Sequence, residues 1–260
     1  MNKIITAIVK DMNYNTIIFD VGFTLITFEN FTLKKYFDTL DKGLDHMSEF
    51  LLNENIIRAP YTFKKNFKKF RNQNFQNSLI NYKEITTEKT LVQTLNSLNL
   101  PSIDSALAHK AIMIYHSTEG TFWKARSTAK PVLETLHKKF KLGVLSNAPY
   151  HNGIIYLLDT NNLSQYFEII VSSAQIGFCK PDKRTFEYIL EKVGSMPEQS
   201  IMIGDDLKND IYGAQQLGMK TILIKKSFDI AFNNHSDVIP DAQITDLPEI
   251  IPIIHDWNNS

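Results

Sequence analysis

Several features that mark particular protein classes are scarce or missing in this chain of 260 residues. Cys179 is the only cysteine, so an intramolecular disulfide is excluded and a reducing compartment fits best. The 28 basic and 28 acidic side chains cancel, which removes the global electrostatic argument for binding nucleic acid or an acidic membrane. No apolar stretch approaches the roughly 18 residues of a membrane-spanning helix. Repeats and low-complexity linkers are also missing.

The N-terminal segment carries one short apolar run, from Ile4 to Val9. This run is shorter than the apolar core of a signal peptide, and Lys10 and Asp11 close it. We therefore expect a cytoplasmic protein without nucleic-acid or membrane partners, present as a monomer or a homodimer. The sequence assigns no role to residues 1–14. The apolar residues, 43% of the chain with 17 Phe and 10 Tyr, are ample material for a buried core.

Short apolar runs of the kind found in β-strands recur along the chain, and helical patterns separate the last four. The runs span residues 16–19, 142–145, 168–171, 201–203 and 221–224. Because they are apolar on both faces, they fit buried parallel strands. The helical patterns span residues 150–160, 183–193 and 210–217. Gly194 and Gly218 are placed to end the last two. This alternation predicts a doubly wound α/β fold with a parallel sheet.

A long stretch between the first two predicted strands shows helical periodicity and no convincing strand. Apolar side chains recur there at helical spacing, namely at Leu33, Phe37, Leu40, Leu44 and Met47, and again at Phe63, Phe67 and Phe70. One predicted helix begins after Thr86 or Thr87, and another follows Pro101 and Ser102. About 100 residues is far longer than an ordinary crossover, so we expect an inserted helical domain. The predicted division is a core of residues 1–26 and 126–260 with an insertion of residues 27–125.

Polar and charged side chains follow four of the predicted strands. They are Asp20, then Ser146 and Asn147, then Lys180, and finally Asp205, Asp206 and Asp210. The carboxyl ends of parallel strands meet at one edge of a sheet, where ligands bind. Carboxylates gathered there repel one another unless a cation lies among them, and Mg²⁺ is a hard cation that prefers oxygen ligands. The hydroxyl, amide and ammonium groups suit an anion with several oxygens. The sequence therefore predicts a phosphoryl site.

These motifs closely resemble those of the haloacid dehalogenase-like (HAD) superfamily of hydrolases. They occur in the family's order as Phe19-Asp20-Val21-Gly22-Phe23-Thr24-Leu25, Leu145-Ser146-Asn147, Lys180-Pro181 and Gly204-Asp205-Asp206-Leu207-Lys208-Asn209-Asp210. The resemblance implies a HAD-like α/β core and a phosphatase-type, Mg²⁺-dependent hydrolase of small phosphorylated substrates. The helical insertion resembles the family's four-helix cap domain.

The resemblance also assigns residues to the metal. In matching family members the first Asp is a metal ligand, so the implied ligands of Mg²⁺ are the Asp20 carboxylate, the Gly22 backbone carbonyl and Asp205. Asp206 or Asp210 is implied to orient bound water or to support the site. The metal would shield the charge of the incoming anion and of the transition state.

The catalytic assignments follow in the same way. Asp20 is implied to be the nucleophile that forms an aspartyl-phosphate, which splits one displacement into two easier steps. Ser146 and a backbone N–H at Asn147 are implied to donate to the phosphoryl oxygens. Lys180 is implied to neutralise charge and hold Asp20, and Thr24 to brace the nucleophile loop.

Gly22 departs from the pattern of the family's phosphatases. They usually carry a second Asp at this position, which protonates the leaving oxygen and then activates water. General acid–base catalysis is typically worth about 10²–10⁴-fold, so the loss matters. Three consequences are open. The enzyme favours good leaving groups such as acyl or aryl phosphates, the cap supplies another acid such as Glu29 or a histidine, or the protein is catalytically weakened and only binds its ligand.

Three other interpretations of the same residues compete with the phosphatase. A 2-haloacid dehalogenase also lacks the second Asp, but it carries an Arg early in the cap, and the first Arg here is Arg58. A phosphonate hydrolase would use a cap lysine, for which Lys34 and Lys35 are candidates. The basic, aromatic segment 63–71 is favoured as an amphipathic helix with a solvated face rather than as a nucleic-acid contact.

Overall fold

A parallel sheet of six strands forms the centre of the fold in a computed structural model that describes residues 14–226 and 237–260. The strands are β1 (Thr16–Phe19), β2 (Ile26–Phe28), β3 (Trp123–Ala125), β4 (Lys141–Ser146), β5 (Ile169–Ser172), β6 (Ser200–Gly204), β7 (Lys220–Ile224) and β8 (Ala242–Ile244). The order across the sheet is β5-β4-β1-β6-β7-β8, and β2 and β3 form a separate antiparallel pair. The predicted α/β fold is confirmed.

Ten α- or π-helical segments accompany these strands in the described parts of the chain, in addition to three short 3-10 helices. They are α1 (Leu33–Asn53), α2 (Pro60–Asn81), α3 (Thr87–Ser97), α4 (Ser105–Gly120), α5 (Ala129–Leu136), α6 (His151–Thr160), α7 (Ser173–Ile176), α8 (Lys183–Val193), α9 (Leu207–Tyr212, a π-helix, continued by Gly213–Gln215) and α10 (Ile250–Asn259). None of them combines the length and the apolar character needed to cross a membrane.

The central strand β1 shows why apolar runs make this sheet. Side chains alternate between the two faces of a strand. Ile17 and Phe19 accordingly pack into one apolar cluster, and Ile18 packs into another. Both neighbours of β1 run parallel to it, with Phe19 level with Val144 on β4 and with Ile203 on β6. The residues that follow these strands are therefore held side by side at one edge of the sheet.

Three strands were absent from the sequence prediction. β8 is a three-residue edge strand beside β7. β2 and β3 also have three residues each and pair antiparallel, with Phe28 opposite Trp123. Runs this short carry too little periodicity to stand out from a loop. The pair β2–β3 stands at the two places where the chain enters and leaves the helical stretch.

Helices α1 to α4 form the helical stretch expected from the sequence, which we call the helical insertion (Leu33–Gly120). Its apolar side chains, which include Leu44, Met47 and Phe67, form one cluster together with Tyr150 of the core. The Thr86 side chain caps α3 by accepting from the Lys89 N–H. The proposed limits 27–125 remain a prediction, and β2 lies across the first of them. Residues 1–13 of the segment without an assigned role lie outside the described residues.

The basic segment 63–71 lies within α2. Phe67 is buried in the insertion, while Lys64 and Lys68 each pair with an α1 carboxylate, Asp45 and Asp41, at 2.6 Å. The predicted helix with a buried aromatic side is confirmed, and the preference for a solvated basic face over a nucleic-acid contact remains a prediction.

Candidate functional site

The candidate site lies where the order of strands reverses on either side of β1. Asp20 directly follows β1, and its backbone N–H donates to the Ile203 carbonyl on β6 at 2.9 Å. Ser146 ends β4 on one side, and Asp205 follows β6 on the other. Asp20 and Ser146 are buried to 8% and 6% exposure. Such a switch point is the usual ligand crevice of an open α/β sheet.

Lys180 connects the nucleophile candidate to the acidic motif. Its side chain is 2% exposed, and its Nζ donates to Asp20 Oδ1 at 2.8 Å, to Asp210 Oδ1 at 2.6 Å and to the Leu145 carbonyl at 2.7 Å. These three acceptors match the three protons of an ammonium group. Burial alone would lower the pKa of Lys180, but the carboxylates of Asp20 and Asp210 raise it above its usual value. The lysine is therefore held in its charged form beside Asp20.

Three carboxylates form a compact acidic group. Ligand oxygens of Asp20, Asp205 and Asp210 lie within 4.8 Å of one another. Burial, with the nearby Asp20 carboxylate, raises the pKa of Asp205 to about 6. Burial also raises the pKa of Asp210, and Lys180 opposes that rise. Carboxylates crowded together in a buried place are unfavourable to ionise unless a cation lies among them. Hard divalent cations prefer oxygen ligands, so these residues fit such an ion.

The members of the acidic group are not equally available as ligands. Both oxygens of Asp210 are engaged, Oδ1 by Lys180 and Oδ2 by the Asp206 N–H at 3.0 Å. The Asp206 side chain accepts from the N–H groups of Lys208 and Asn209 and caps α9. These contacts suit side chains that support the site, and the roles expected of Asp206 and Asp210 there remain predictions.

Asn147 joins the loop after β4 to the segment that carries Lys180. Its Nδ2 donates to the Lys180 carbonyl at 3.0 Å, and its Oδ1 accepts from the Lys180 N–H at 2.8 Å. The sequence interpretation concerned only its backbone N–H. The side chain is a positioning group, because it closes a reciprocal pair of hydrogen bonds between the two loops.

The loop after β1 is held by one expected residue and two that sequence reasoning missed. Buried Thr24 donates to Asp205 Oδ1 at 3.3 Å. Arg126 donates to the carbonyls of Thr24 and Phe23 at 2.9 and 2.7 Å. Lys226 forms an ion pair with Asp205, and its Nζ lies 5.7 Å from the centre of the Phe23 ring. Lys226 lies two residues after the predicted strand 221–224, and this position near the end of a strand could have indicated a site residue.

Gly22 faces an aromatic wall. A Cβ added at Gly22 would lie 3.6 Å from Cη2 of Trp123, which is ordinary contact. Trp123 in turn packs against Phe23 and Phe28, with ring centres 5.0 and 5.4 Å away. Phe31 lies 5.0 Å from Phe23. The position at which family phosphatases carry a carboxylate is therefore bordered by an indole ring.

The alternative acid and cap-lysine candidates lie around the start of α1. Glu29 is exposed, and its backbone N–H donates to the Phe122 carbonyl. The Lys34 side chain is 85% exposed and pairs with Asp38. Lys35 Nζ donates to the Glu29 carbonyl at 2.6 Å. These contacts describe a solvated helix start, and the catalytic alternatives remain predictions.

A family model described as haloacid dehalogenase-like hydrolase matches residues 49–224. This range is more than half of the chain and includes Ser146, Lys180, Asp205 and Asp210. The chain belongs to the haloacid dehalogenase-like hydrolase family. Asp20 lies before the matched range, and its contact with Lys180 ties it to the matched motifs.

Curated relatives of this HAD protein include a glyceraldehyde 3-phosphate phosphatase from Pyrococcus furiosus, 29% identical over 57% of this chain and 62% of that protein. The chain thus spans less than two thirds of that relative. The pyrimidine 5′-nucleotidase YjjG of Escherichia coli is 26% identical over 81% of this chain and 85% of its own. Among solved structures, a 2-haloacid dehalogenase from Pseudomonas syringae has a TM-score of 0.66 at 21% identity, covering 94% of this chain and 99% of its own, which shows the shared fold.

A close approach in the HAD acidic motif makes Gly204 a sensitive position. A Cβ at Gly204 would overlap the Asp210 carboxylate. We therefore expect Gly204→Ala to displace Asp210 from Lys180 and to destabilise the fold by about 1–3 kcal/mol, the usual cost of overpacking. Urea unfolding of the wild-type chain and of Gly204→Ala measures this difference in the free energy of unfolding. Gly22→Ala is the matched control, since its Cβ meets only ordinary contacts. Equal stability of the two variants would contradict the expectation.

Proposed function

We propose that this chain is a Mg²⁺-dependent HAD hydrolase of small phosphorylated metabolites that works through an aspartyl-phosphate on Asp20. The observation that carries the proposal is the buried Lys180, which joins Asp20 to Asp210 at the switch point of the sheet. The relatives named as a phosphatase and a nucleotidase support phosphoryl chemistry. This proposal concerns the class of reaction.

In the proposed first step, the Asp20 oxygen not bonded to Lys180 attacks phosphorus. The bond from phosphorus to the leaving oxygen breaks, and that oxygen departs with the electron pair. In the second step water attacks phosphorus, releases phosphate and restores the Asp20 carboxylate. Lys180 holds the carboxylate in place for both steps, which lowers the entropic cost of reaching the attacking geometry. Ser146 and the Asn147 N–H are proposed to donate to the phosphoryl oxygens.

Asp20, the Gly22 carbonyl and Asp205 are the residues that would hold Mg²⁺. When bound, the ion supplies charge shielding for the phosphoryl group. Lys226 already contacts Asp205 and Lys180 contacts Asp20, so three carboxylates share two ammonium groups. The remaining negative charge favours a cation at this place.

The absence of a carboxylate at Gly22 narrows the proposed substrates. A leaving group that departs without a proton needs no acid, which is the case for acyl and aryl phosphates. The indole of Trp123 borders this position and offers an apolar surface rather than a proton. We propose such substrates ahead of alkyl phosphates, with the helical insertion (Leu33–Gly120) as a cap that closes over the site and excludes water.

The test measures phosphate release from acetyl phosphate, p-nitrophenyl phosphate and glycerol phosphate, each with Mg²⁺ and with EDTA. We expect Mg²⁺-dependent release that is fastest for acetyl phosphate and slowest for glycerol phosphate. Binding of inorganic phosphate without turnover of any substrate would favour the weakened binding protein. Release of chloride from 2-chloropropionate in EDTA would overturn the proposal in favour of a dehalogenase.

A further inference from the structure

Residues 82–87, which comprise the segment between α2 and α3 and the first residue of α3, are hydrogen bonded to the core beside the candidate site. We call these residues the strap. The Cys179 N–H donates to the Tyr82 carbonyl at 2.7 Å, and the Glu84 N–H donates to the Gly177 carbonyl at 3.0 Å. The Thr87 N–H donates to the Pro149 carbonyl at 2.8 Å. The strap therefore reaches both the segment before Lys180 and the loop after Asn147.

The Glu84 carboxylate lies at the centre of this contact. Its Oε2 accepts from the Ser173 hydroxyl at 2.6 Å and from the Cys179 thiol at 3.3 Å. The Ser173 Oγ itself accepts from the Ala148 N–H at 2.8 Å. A chain of hydrogen bonds thus runs from the amide after Asn147, through one hydroxyl, to a carboxylate of the helical insertion.

The same two loops are joined on their other side by the Asn147–Lys180 pair. Glu84 forms a second link between these two loops. It accepts from Ser173, which is bonded to Ala148, and from Cys179, which directly precedes Lys180. Ser173 has one hydroxyl proton, and its Oγ also lies 3.1 Å from the Ala148 carbonyl. Glu84 decides where that proton points, which leaves Oγ free to accept from Ala148.

The surroundings of Glu84 suit a residue that positions its neighbours rather than one that takes part in the reaction. Burial raises the pKa of Glu84, and the hydrogen bonds from Ser173 and Cys179 oppose that rise. Burial and the Glu84 carboxylate raise the pKa of the Cys179 thiol, so this cysteine is a poor nucleophile. Cys179 therefore serves here as a weak hydrogen-bond donor.

We propose that Glu84 is a positioning residue, through which the helical insertion orders the loop 146–148 and the segment that carries Lys180 for binding the phosphoryl group. The proposal rests on the proposed function of the site. Glu84 acts through Ser173 and Cys179 and touches no reacting atom. When the strap docks on the core, the loop 146–148 and the segment that carries Lys180 are then ordered at the same time.

The experiment compares Glu84→Ala, Glu84→Gln, Ser173→Ala and the double variant Glu84→Ala/Ser173→Ala with the full-length wild-type chain. Glu88→Ala is the matched control, because Glu88 is an exposed acid in the first turn of α3. Loss of the charged acceptor leaves the Ser173 hydroxyl without this partner, so we expect Glu84→Ala to weaken inhibition by inorganic phosphate at least about tenfold. The KM for acetyl phosphate should rise more than kcat falls.

Glu84→Gln keeps an acceptor oxygen and should restore phosphate inhibition to within about threefold of wild type. The double variant should lose no more than the larger single effect, because both residues act in one chain. A Glu84→Ala variant that matches Glu88→Ala, additive losses in the double variant, or failure of Glu84→Gln to restore inhibition would each overturn the proposal.

Amide hydrogen exchange separates failure of this proposal from failure of the proposed function. Wild-type protein without any phosphatase turnover would reject the proposed function alone. Exchange of residues 146–150 then decides the part of Glu84, since loss of its link should speed exchange there while the β1 amides stay protected. Unchanged exchange at 146–150 in Glu84→Ala would overturn it. Thermal unfolding of each variant verifies that it is folded.

Discussion

A Gly22→Asp variant is expected to hydrolyse glycerol phosphate about 10²–10⁴-fold faster than the wild-type chain, the usual worth of a positioned general acid. The substitution returns a proton donor to the place where the leaving oxygen departs. Acetyl phosphate needs little protonation of its leaving group, so its hydrolysis should change far less. The wild-type preference for activated phosphates should therefore shrink.

The structure permits this substitution. The new Cβ would meet Trp123 Cη2 at 3.6 Å and Cζ3 at 3.9 Å, both ordinary contacts. Gly22 is not among the described glycines with positive φ, so an L side chain adds no backbone strain there. The measurement is kcat/KM for both substrates with each protein.

Gly22→Asn is the control for this prediction, because it fills the same volume without an acid to donate a proton. A gain in Gly22→Asp but not in Gly22→Asn supports the assignment of the missing acid. Equal gains in both variants would show that the added volume, and not an acid, is responsible. No gain in either variant with glycerol phosphate would contradict the assignment of a missing acid to this position.

Asp20→Asn is expected to lower phosphate release by roughly 10⁴-fold or more, as removal of a catalytic nucleophile does elsewhere. A carboxamide does not attack phosphorus, so no aspartyl-phosphate forms. Its oxygen still accepts a hydrogen bond from Lys180, and Asp210 remains as the charged partner of that lysine. The fold should therefore persist.

The measurement combines steady-state phosphate release with mass spectrometry of protein quenched during turnover. Wild-type protein should carry a phosphoryl group on the peptide that contains Asp20, and the variant should carry none. Asp38→Asn, an exposed change on α1, is the matched control and should behave as wild type. Substantial turnover by Asp20→Asn would exclude the aspartyl-phosphate route.

The sequence predicted the central strands well, since a run such as 16–19 is apolar along its whole length and ends in a polar residue. The observed β1 spans the same four residues. The sequence prediction failed for β8 and for β2 and β3, each of which is three residues long. Their stability comes from pairing with a neighbour, and a single short segment carries little trace of its partner.

The residue types of the candidate site were likewise visible in the sequence, while several partners were not. The polar ends of four strands singled out Asp20, Ser146, Lys180 and Asp205. Lys226, Arg126 and Glu84 carried no motif, since an isolated charged side chain is usually a solvated one. The structure shows what each of them contacts. Lys226 pairs with the Asp205 carboxylate, Arg126 donates to backbone carbonyls of the loop after β1, and Glu84 accepts from the Ser173 hydroxyl.

The sequence by itself determined where five of the eight described strands lie, which polar residues follow them, and that position 22 has no acid. These are local properties of the chain. Only the tertiary structure decided that Lys180 meets Asp20, 160 positions away, and that Glu84 is linked through Ser173 to the loop beside Asn147. The strength of a charge pair or hydrogen bond depends on distance through space, and strand order and docking set that distance.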